Sequence, residues 1–171
     1  IDSFVTQSMA FWVKRETLLT FQGVFAKHDA VSNVDGWVIH FAELDELRFR
    51  SHWTTNGTWV PTTGFADAAA LVHVAIVYDN GAAGNDPTIY INGAADTLAT
   101  DTNPTGTYGG EAARSMEFGE DGGGSPLNGL VQNLCYANAT WTAAQVNRAR
   151  WWGKPGGAIE VYHPFFTAKT A

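Results

Sequence analysis

The sequence predicts an all-β fold, an antiparallel sandwich of two sheets with one short helix near residues 143–152. Residues 71–79 are apolar on both faces of an extended chain, as expected of a central strand that is covered on each side. After a polar loop, residues 89–91 lead into Asn92-Gly93, the dipeptide most typical of a tight β-hairpin turn. Similar segments recur between turns rich in Gly, Asn, Asp and Thr, which favours a sandwich over a helical bundle or a nucleotide-binding fold.

The same alternation and turn signals predict the other strands in order. The nine predicted strands are Phe4–Lys14, Val24–His28, Gly36–Ala42, Leu47–Trp53, Leu71–Asp79, Thr88–Asn92, Ser115–Gly119, Gly129–Ala137 and Ala158–Phe166. The stretches 82–87, 100–110 and 119–125 are predicted to be turns and loops. No tandem repeat or linker interrupts this order, so residues 1–171 are interpreted as a single domain.

The last segment, residues 158–171, follows Gly156 and Gly157 and has two interpretations. It forms an edge strand of the same domain, or it reaches a neighbouring subunit as an arm. Strand edges with free backbone groups invite such pairing between chains. The sequence leaves both alternatives open.

The predicted helix begins with a capping box formed by Thr142 and Gln145. At this spacing each side chain can bond a backbone N–H of the first turn that lacks a partner within the helix. Trp141 and Val146 are placed to pack against each other as a hydrophobic staple. Gly153 is predicted to end the helix.

Several motifs together resemble the laminin G-like, concanavalin A-like lectin and glucanase domains. The motifs are SFVTQSMAFWVKR, GVFAKHD, HVAIVYD, PTIYINGAAD, FGED and a Gly-x-Val strand that runs into WTAAQV. Their order and spacing are similar to those of this family over nearly the whole chain. The resemblance implies a jelly-roll sandwich and a role in carbohydrate recognition or adhesion.

Composition and charge limit the classes of partner. Apolar residues make up 45% of the chain and aromatic residues 13%, enough for a core between two sheets. The net charge of −7, without a cluster of Lys or Arg, argues against nucleic acid as a partner. No apolar run is long enough to predict insertion into a membrane. Cys135 is the only cysteine, and we expect it to fill a strand position.

The main candidate site is a sugar-binding surface formed by rim loops. Trp53 and Trp59 flank a segment rich in Thr, with an Asn-Gly turn at Asn56, and His52 precedes it. Sugars stack their apolar faces on aromatic rings while amide and hydroxyl groups bond their oxygens. We therefore predict Trp59, Asn56, Trp53 and His52 as ligand contacts. The alternative is that both tryptophans belong to the core.

A second candidate surface is a basic stripe. Alternation places Arg48, Arg50 and His52 on one strand face, and His40 on the preceding strand can join them. The stripe could bind an anionic glycan or a neighbouring subunit. The favoured interpretation is cross-strand pairing with acidic residues of the same sheet.

An acidic segment, Glu43-Leu44-Asp45-Glu46, resembles the beginning of the catalytic strand of jelly-roll glucanases. Retaining glycoside hydrolysis requires two carboxylates about 5 Å apart in one cleft. Leu47 interrupts the pattern, and the segment falls between two predicted strands, where acidic side chains are solvated. We therefore predict no catalytic residues and no enzymatic activity.

Calcium is the one cofactor that the loops suggest. Oxygen-bearing side chains suited to it lie near strand ends at Asp79, Asn80, Asp86, Glu120 and Asp121. They form no closely spaced Asp-x-Asp-x-Asp ladder. The prediction is that no cofactor is needed, with calcium kept as an alternative.

The sequence thus predicts a non-catalytic carbohydrate-binding or adhesion domain whose partner is a glycan or polysaccharide. We expect it outside the cell or on a virion surface. The alternative is a structural subunit, such as a phage capsid or tail decoration protein or a fibre-forming surface protein, that assembles as a homo-oligomer or with other surface proteins. A glycoside hydrolase is the remote alternative.

Overall fold

The structure is a computed structural model, and it describes residues 5–18, 20–28, 35–42, 45–66, 70–111, 113–152 and 161–167, the last range as backbone alone. Within these ranges the chain forms fourteen strands and one helix. All of the strand pairs described are antiparallel. Two six-stranded sheets form a sandwich of jelly-roll type, which confirms the predicted fold class.

Sheet A contains the strands β1 (Thr6–Arg15), β7 (Val72–Asp79), β8 (Thr88–Ile91), β9 (Ala94–Ala95), β13 (Gly129–Ala137) and β14 (Val161–Thr167). Their order across the sheet is β14-β13-β1-β7-β8-β9. The predicted central strand, β7, is indeed flanked on both sides, by β1 and β8.

Sheet B contains β2 (Gln22–His28), β3 (Gly36–Phe41), β4 (Leu47–Ser51), β6 (Gly57–Pro61), β10 (Leu98–Thr102) and β12 (Glu117–Phe118). Their order is β10-β6-β4-β3-β2-β12. A two-stranded sheet pairs β5 (Trp53–Thr55) with β11 (Thr105–Tyr108).

The main core lies between the two sheets. Sheet A contributes alternate residues of β7, Val74, Ile76 and Tyr78. Sheet B contributes large side chains that include Trp37, Ile39, Phe41, Leu47, Phe49 and Trp59. The alternate side chains of β3 and β4 therefore face away from the core.

A second core covers the outer face of sheet A. Ala75 and Val77, which alternate with the inward residues of β7, pack there with Cys135 and with Val146 of the helix α1 (Ala143–Trp152). The predicted apolar character of β7 on both faces is thus explained, since one face meets the other sheet and one meets the helix. Cys135 fills a buried strand position, as predicted.

The predicted turn and helix cap are confirmed. Asn92 and Gly93 adopt φ angles of 52° and 86°, the left-handed region that a tight hairpin turn of this type requires. At the start of α1 the backbone N–H of Thr142 donates to Gln145 Oε1 at 2.8 Å, and the N–H of Gln145 donates to Thr142 Oγ1 at 3.3 Å. The predicted helix end at Gly153 lies outside the described residues.

Some predicted boundaries were wrong. The single strand predicted at residues 47–53 divides after Ser51, because the next segment pairs with β11 instead of continuing in sheet B. Segments predicted as loops form β6, β10 and β11. The residues of β10 and β11 are mostly small and polar, so their strand state depends on hydrogen bonds to neighbouring strands. In β6, which carries the buried Trp59 and Val60, the Asn-Gly turn signal favoured a loop.

At the end of the chain, β14 pairs with β13 of the same chain at the edge of sheet A. The described part of the chain contains no helix with the length and apolar character needed to cross a lipid bilayer.

Candidate functional site

The outer face of sheet B carries a cleft of about 250 Å³. We call it the outer-face cleft; its lining residues are Phe21, His28, Val38, His40, Arg50, Asp121 and Gly123. Strand register explains how its floor forms, since Val38 of β3 pairs with Arg50 of β4, and His40 pairs with Arg48. These side chains alternate with the core residues and therefore share the outer face.

The loop after β12 forms one wall of the cleft. Asp121 organises this loop, because its Oδ1 accepts the backbone N–H groups of Gly123 at 2.9 Å and Ser125 at 3.1 Å. The loop lies directly against β2 at Gly23, where an added Cβ would come within 2.0 Å of the backbone nitrogen of Asp121. His28 Nε2 donates to the carbonyl oxygen of Asp121 and joins the loop to the sheet from the other side.

Aromatic rings cover the floor. Phe21 stacks on His40 with 4.6 Å between ring centroids and 28° between planes, and 41% of its surface stays exposed. At the other end His28 stacks on His52 at 4.9 Å and 20°. Gly36, the first residue of β3, is the register partner of His28 and adopts a φ of 76°, a backbone conformation that favours glycine. The cleft is thus lined by one exposed aromatic ring, Phe21, and by the imidazoles of His28 and His40.

His40 is held neutral at the centre of the cleft. Burial, followed by the positive charges of Arg50 and Arg48 and by smaller effects of His28 and His52, lowers its pKa to about 3. Its Nδ1 is buried and has no hydrogen-bond partner among the residues described. The same is true of His28 Nδ1. A neutral imidazole can accept a hydrogen bond from a ligand hydroxyl and donate one from its other nitrogen.

The two arginines of the stripe have different surroundings. Arg48 forms an ion pair with Glu46 at 2.8 Å, and both side chains are partly exposed. Glu46 lies two residues earlier in the chain, so this is a local pair and not the predicted cross-strand pair. Arg50 lines the cleft, and neither an ion pair nor a side-chain hydrogen bond is recorded for it within the described ranges. Burial, and secondarily Arg48, lower the pKa of Arg50 from its ordinary value. An arginine nevertheless keeps its proton in proteins.

The two predicted tryptophan contacts lie in the interior. Trp59 is 0% exposed; it stacks on Phe49 at 5.6 Å, and its Nε1 donates to Asp86 at 3.3 Å. Trp53 is 6% exposed, and its Nε1 donates to Ser51 Oγ at 3.1 Å. Neither indole presents a ring face to a ligand in this structure, which favours the core alternative for both. Because side chains alternate along a strand, both indoles point to the side opposite the outer face of sheet B.

Asn56 and His52 have different positions. Asn56 is half-buried, and its Oδ1 accepts the backbone N–H of Trp53 at 3.1 Å, so it stabilises the local turn. His52 is buried but reaches the end of the outer-face cleft through its stack on His28. The structure therefore does not bring the four predicted contacts together on one surface. Their role in binding a ligand stays a prediction.

The sequence analysis named neither Phe21 nor His28 for a site, and it named Asp121 only as a possible calcium ligand. His28 shares the outer face of β2 with Ala26, but only the structure shows that Ala26 pairs with Val38 of the cleft. No signal in the sequence placed the loop at Asp121 against this face. It enters the cleft from a position about a hundred residues later in the chain, and contacts at such separation depend on the tertiary fold.

The acidic segment resembling a glucanase strand is divided between two ion pairs. Asp45 pairs with the buried Arg15 at 2.9 Å, and Glu46 pairs with Arg48. Glu43 and Leu44 lie outside the described residues. The two carboxylates that the structure describes are thus neutralised by separate arginines instead of facing each other across a cleft.

The oxygen-bearing side chains proposed for calcium lie in different turns. Asp79 Oδ1 accepts the N–H of Gly81 at 2.8 Å, Asp86 accepts the Trp59 indole, and Asp121 holds the loop of the outer-face cleft. Within the described ranges, no group of three or more His, Cys, Asp and Glu side chains is arranged to hold a metal ion.

A separate aromatic surface lies at the end of α1. Trp151 and Trp152 are 69% and 79% exposed, and the guanidinium of Arg150 lies 4.6 Å from the Trp151 ring centroid. We use this surface below as a control for the outer-face cleft.

Comparison with known proteins places this geometry in a family. A laminin G family model described as the concanavalin A-like lectin/glucanases superfamily matches residues 2–147. No curated protein sequence matched the chain.

Three solved structures share the fold. A candidate carbohydrate-binding protein from Bacteroides ovatus has a TM-score of 0.62 at 13% identity, over 95% of this chain and 46% of its own. Domain 4 of AbnA, an extracellular GH43 arabinanase from Geobacillus stearothermophilus, in complex with arabinotriose, has a TM-score of 0.60 at 23% identity, over 85% of this chain and 68% of its own.

The third is the CBM40 of a Ruminococcus gnavus IT-sialidase bound to α2,3-sialyllactose, with a TM-score of 0.59 at 11% identity, over 84% of this chain and 82% of its own. This chain spans less than half the length of the Bacteroides ovatus protein. At these identities the likeness is one of fold. Because the family model matches most of its length, the chain belongs to the concanavalin A-like lectin/glucanases superfamily.

Proposed function

We propose that this protein is a non-catalytic carbohydrate-binding domain that holds a sugar in the outer-face cleft. The observation that carries the proposal is the combination of an exposed aromatic ring, Phe21, with unpartnered polar atoms on His28 and His40 in one concave site. A sugar offers apolar C–H groups to a ring and hydroxyl groups to imidazole nitrogens. A predominantly apolar ligand would leave those nitrogens without partners.

The size of the cleft suits a short sugar segment. Its volume of about 250 Å³ lies just below the ~300–1,000 Å³ of pockets that enclose drug-sized molecules. One sugar ring, with its neighbours extending into solvent, is therefore the expected occupancy. The solved structures of similar fold that bind arabinotriose and sialyllactose support carbohydrate as the ligand class.

The carboxylates near the cleft support binding rather than hydrolysis. Glycoside hydrolysis uses two carboxyl groups that flank the bond to be cleaved. Among the described lining residues Asp121 is the one carboxylate, and its Oδ1 already accepts two backbone N–H groups. The proposal places the site on a sheet face, not in the rim loops that the sequence suggested.

We include in the proposal a location outside the cell or on a virion surface, where polysaccharides are accessible to such a domain. One ground for the alternative of a structural subunit was that the C-terminal segment could be donated to another copy. In this structure β14 pairs with β13 of its own chain, so the structure gives that ground no support.

The test is a titration by calorimetry with a panel of soluble neutral and acidic polysaccharides, comparing the wild type with Phe21→Ala and Trp152→Ala. Loss of the stacked ring should weaken binding by about two- to tenfold, since an aromatic contact contributes about 0.5–1.5 kcal/mol. Trp152→Ala removes a more exposed aromatic ring, 79% against 41% for Phe21, that lies outside the cleft, and it should change nothing. Binding that depends on Trp152 but not on Phe21 would contradict the assigned site.

A further inference from the structure

Arg50 is a positive charge in the cleft without a counter-charge. No carboxylate lies within ion-pair distance of it in the described part of the chain, and its Nε is buried without a hydrogen-bond partner. Arg15, Arg48 and Arg114 each have an acidic partner at 2.7–2.9 Å. The Nε of Arg150 is also buried without a hydrogen-bond partner, but its guanidinium lies 4.6 Å from the centroid of the Trp151 ring. Arg50 differs from these four because it lines the cleft where a ligand is expected.

The acidic groups around the cleft do not fill this role. Glu46 is held by Arg48. Glu117 shares the outer face, but its register partner Ala26 and then Val38 separate it from Arg50 by three strand spacings, roughly 14 Å. Asp121 lines the cleft, yet it forms no ion pair with Arg50 and is bonded to its own loop.

A half-buried guanidinium without a partner is unfavourable, because burial removes water that would otherwise solvate the charge. The group has several N–H donors in a planar fork that matches the two oxygens of a carboxylate. An anionic ligand that enters the cleft would meet this fork with the neutral His40 beside it, while the carboxylate of Asp121 is bonded to its own loop. Ligand binding would thus satisfy a charge that the fold leaves unsatisfied.

We propose that the outer-face cleft selects acidic sugars, with the ligand's carboxylate bound to Arg50 and its hydroxyl groups bonded to His40 and His28. The inference rests on the proposed function and adds to it the chemical class of the sugar. The ligand class is therefore a uronic acid or another carboxylate-bearing sugar in a polysaccharide. The overall net charge of −7 does not oppose this, because the contact is local and the exposed acidic residues are screened by salt.

The experiment uses oligosaccharides of polygalacturonate, alginate and unsulfated chondroitin, each paired with the same oligosaccharide after reduction of its carboxyl groups. Binding is measured by calorimetry at pH 7.5 with the wild type, Arg50→Gln, Arg50→Lys and Arg48→Gln. Arg48→Gln is the matched control, since it removes a neighbouring arginine that already has an acidic partner. Circular dichroism and thermal unfolding verify that each variant is folded.

At least one acidic oligosaccharide should bind the wild type about tenfold or more tightly than its reduced form, the effect expected for a hydrogen-bonded charge pair. Arg50→Gln should abolish that preference, so that the acidic and the reduced forms bind with similar affinity. Arg50→Lys should retain part of the preference because it keeps the charge without the fork. Arg48→Gln should change the preference by less than about twofold.

Other outcomes separate this inference from the proposed function. Equal binding of acidic and reduced oligosaccharides, sensitive to Phe21→Ala but not to Arg50→Gln, would overturn the acidic specificity and leave carbohydrate binding in the cleft intact. If a sulfated galactan binds through Arg50 and no uronate binds, the assignment of a carboxylate as the ligand group at Arg50 is overturned. Failure of every sugar in the panel to bind would overturn the inference and count against the proposed function as well.

Discussion

His40 and His73 are buried histidines that the fold holds in the neutral form, and this makes the protein sensitive to acid. Burial, followed by the charges of Arg50, Arg48, His28 and His52, lowers the pKa of His40 to about 3. On sheet A, burial and then the charge of Arg150 lower the pKa of His73 to about 4. In the unfolded chain both imidazoles titrate near 6.5.

The sign of the effect follows from proton linkage. Below pH 6.5 the unfolded chain binds protons at these two positions that the folded protein does not, so stability falls as the pH falls toward the folded pKa values. At pH 5 each histidine lies about 1.5 pH units below its unfolded pKa, and each unit corresponds to about 1.4 kcal/mol. Each therefore costs about 2 kcal/mol, and the two together about 4 kcal/mol. Domains of this size are typically stable by about 5–15 kcal/mol.

The measurement is urea unfolding followed by tryptophan fluorescence at pH 7.5, 6.5, 5.5 and 5.0. We expect the free energy of unfolding of the wild type to fall by about 4 kcal/mol across this range. His40→Gln and His73→Gln should each remove about half of the decline, and the double variant nearly all of it. Asp and Glu contribute little, because most of their titration lies below pH 5. If both single variants keep the full decline of the wild type, the reasoning from buried neutral histidines is refuted.

Two further predictions use the same unfolding assay at pH 7.5. Trp59→Ala should lower the free energy of unfolding by about 3–5 kcal/mol, because the indole is fully enclosed in the main core. As a control, Trp152→Ala should change it by less than about 0.5 kcal/mol, because Trp152 is exposed. A small effect of Trp59→Ala would contradict the core position of Trp59 and favour its role as a ligand contact. Gly23→Ala should cost about 1–3 kcal/mol, since its Cβ would press on the backbone of the loop at Asp121, whereas Gly64→Ala, with nothing within 4 Å, should be neutral. Equal stability of the two glycine variants would show that the loop at Asp121 does not lie against β2 as described.

Local signals in the sequence were reliable where one short segment decides the structure. The left-handed turn at Asn92-Gly93 and the cap formed by Thr142 and Gln145 depend on residues that are neighbours in the chain, and both are present. The apolar character of β7 on both faces also predicted correctly that it would be covered twice.

The tryptophans show what such local signals do not predict, which is the strand face that becomes buried. Alternation indicates which side chains share a strand face, but it does not indicate which face meets the other sheet. Trp59 therefore had two interpretations until the position of β6 between β10 and β4 put its indole against Phe49 and Tyr78.

The sequence by itself determined the fold class, the principal strands, the helix and the family resemblance, because these depend on periodicity and turn chemistry within short stretches. The tertiary structure decided the site. It brings Phe21, His40, Arg50 and Asp121 together from four separate segments and leaves Arg50 without an acidic neighbour while Arg48 has one. Such differences between similar residues depend on the distances and burial that the packed sheets and the loop after β12 impose, which the spacing of residues along the chain does not contain.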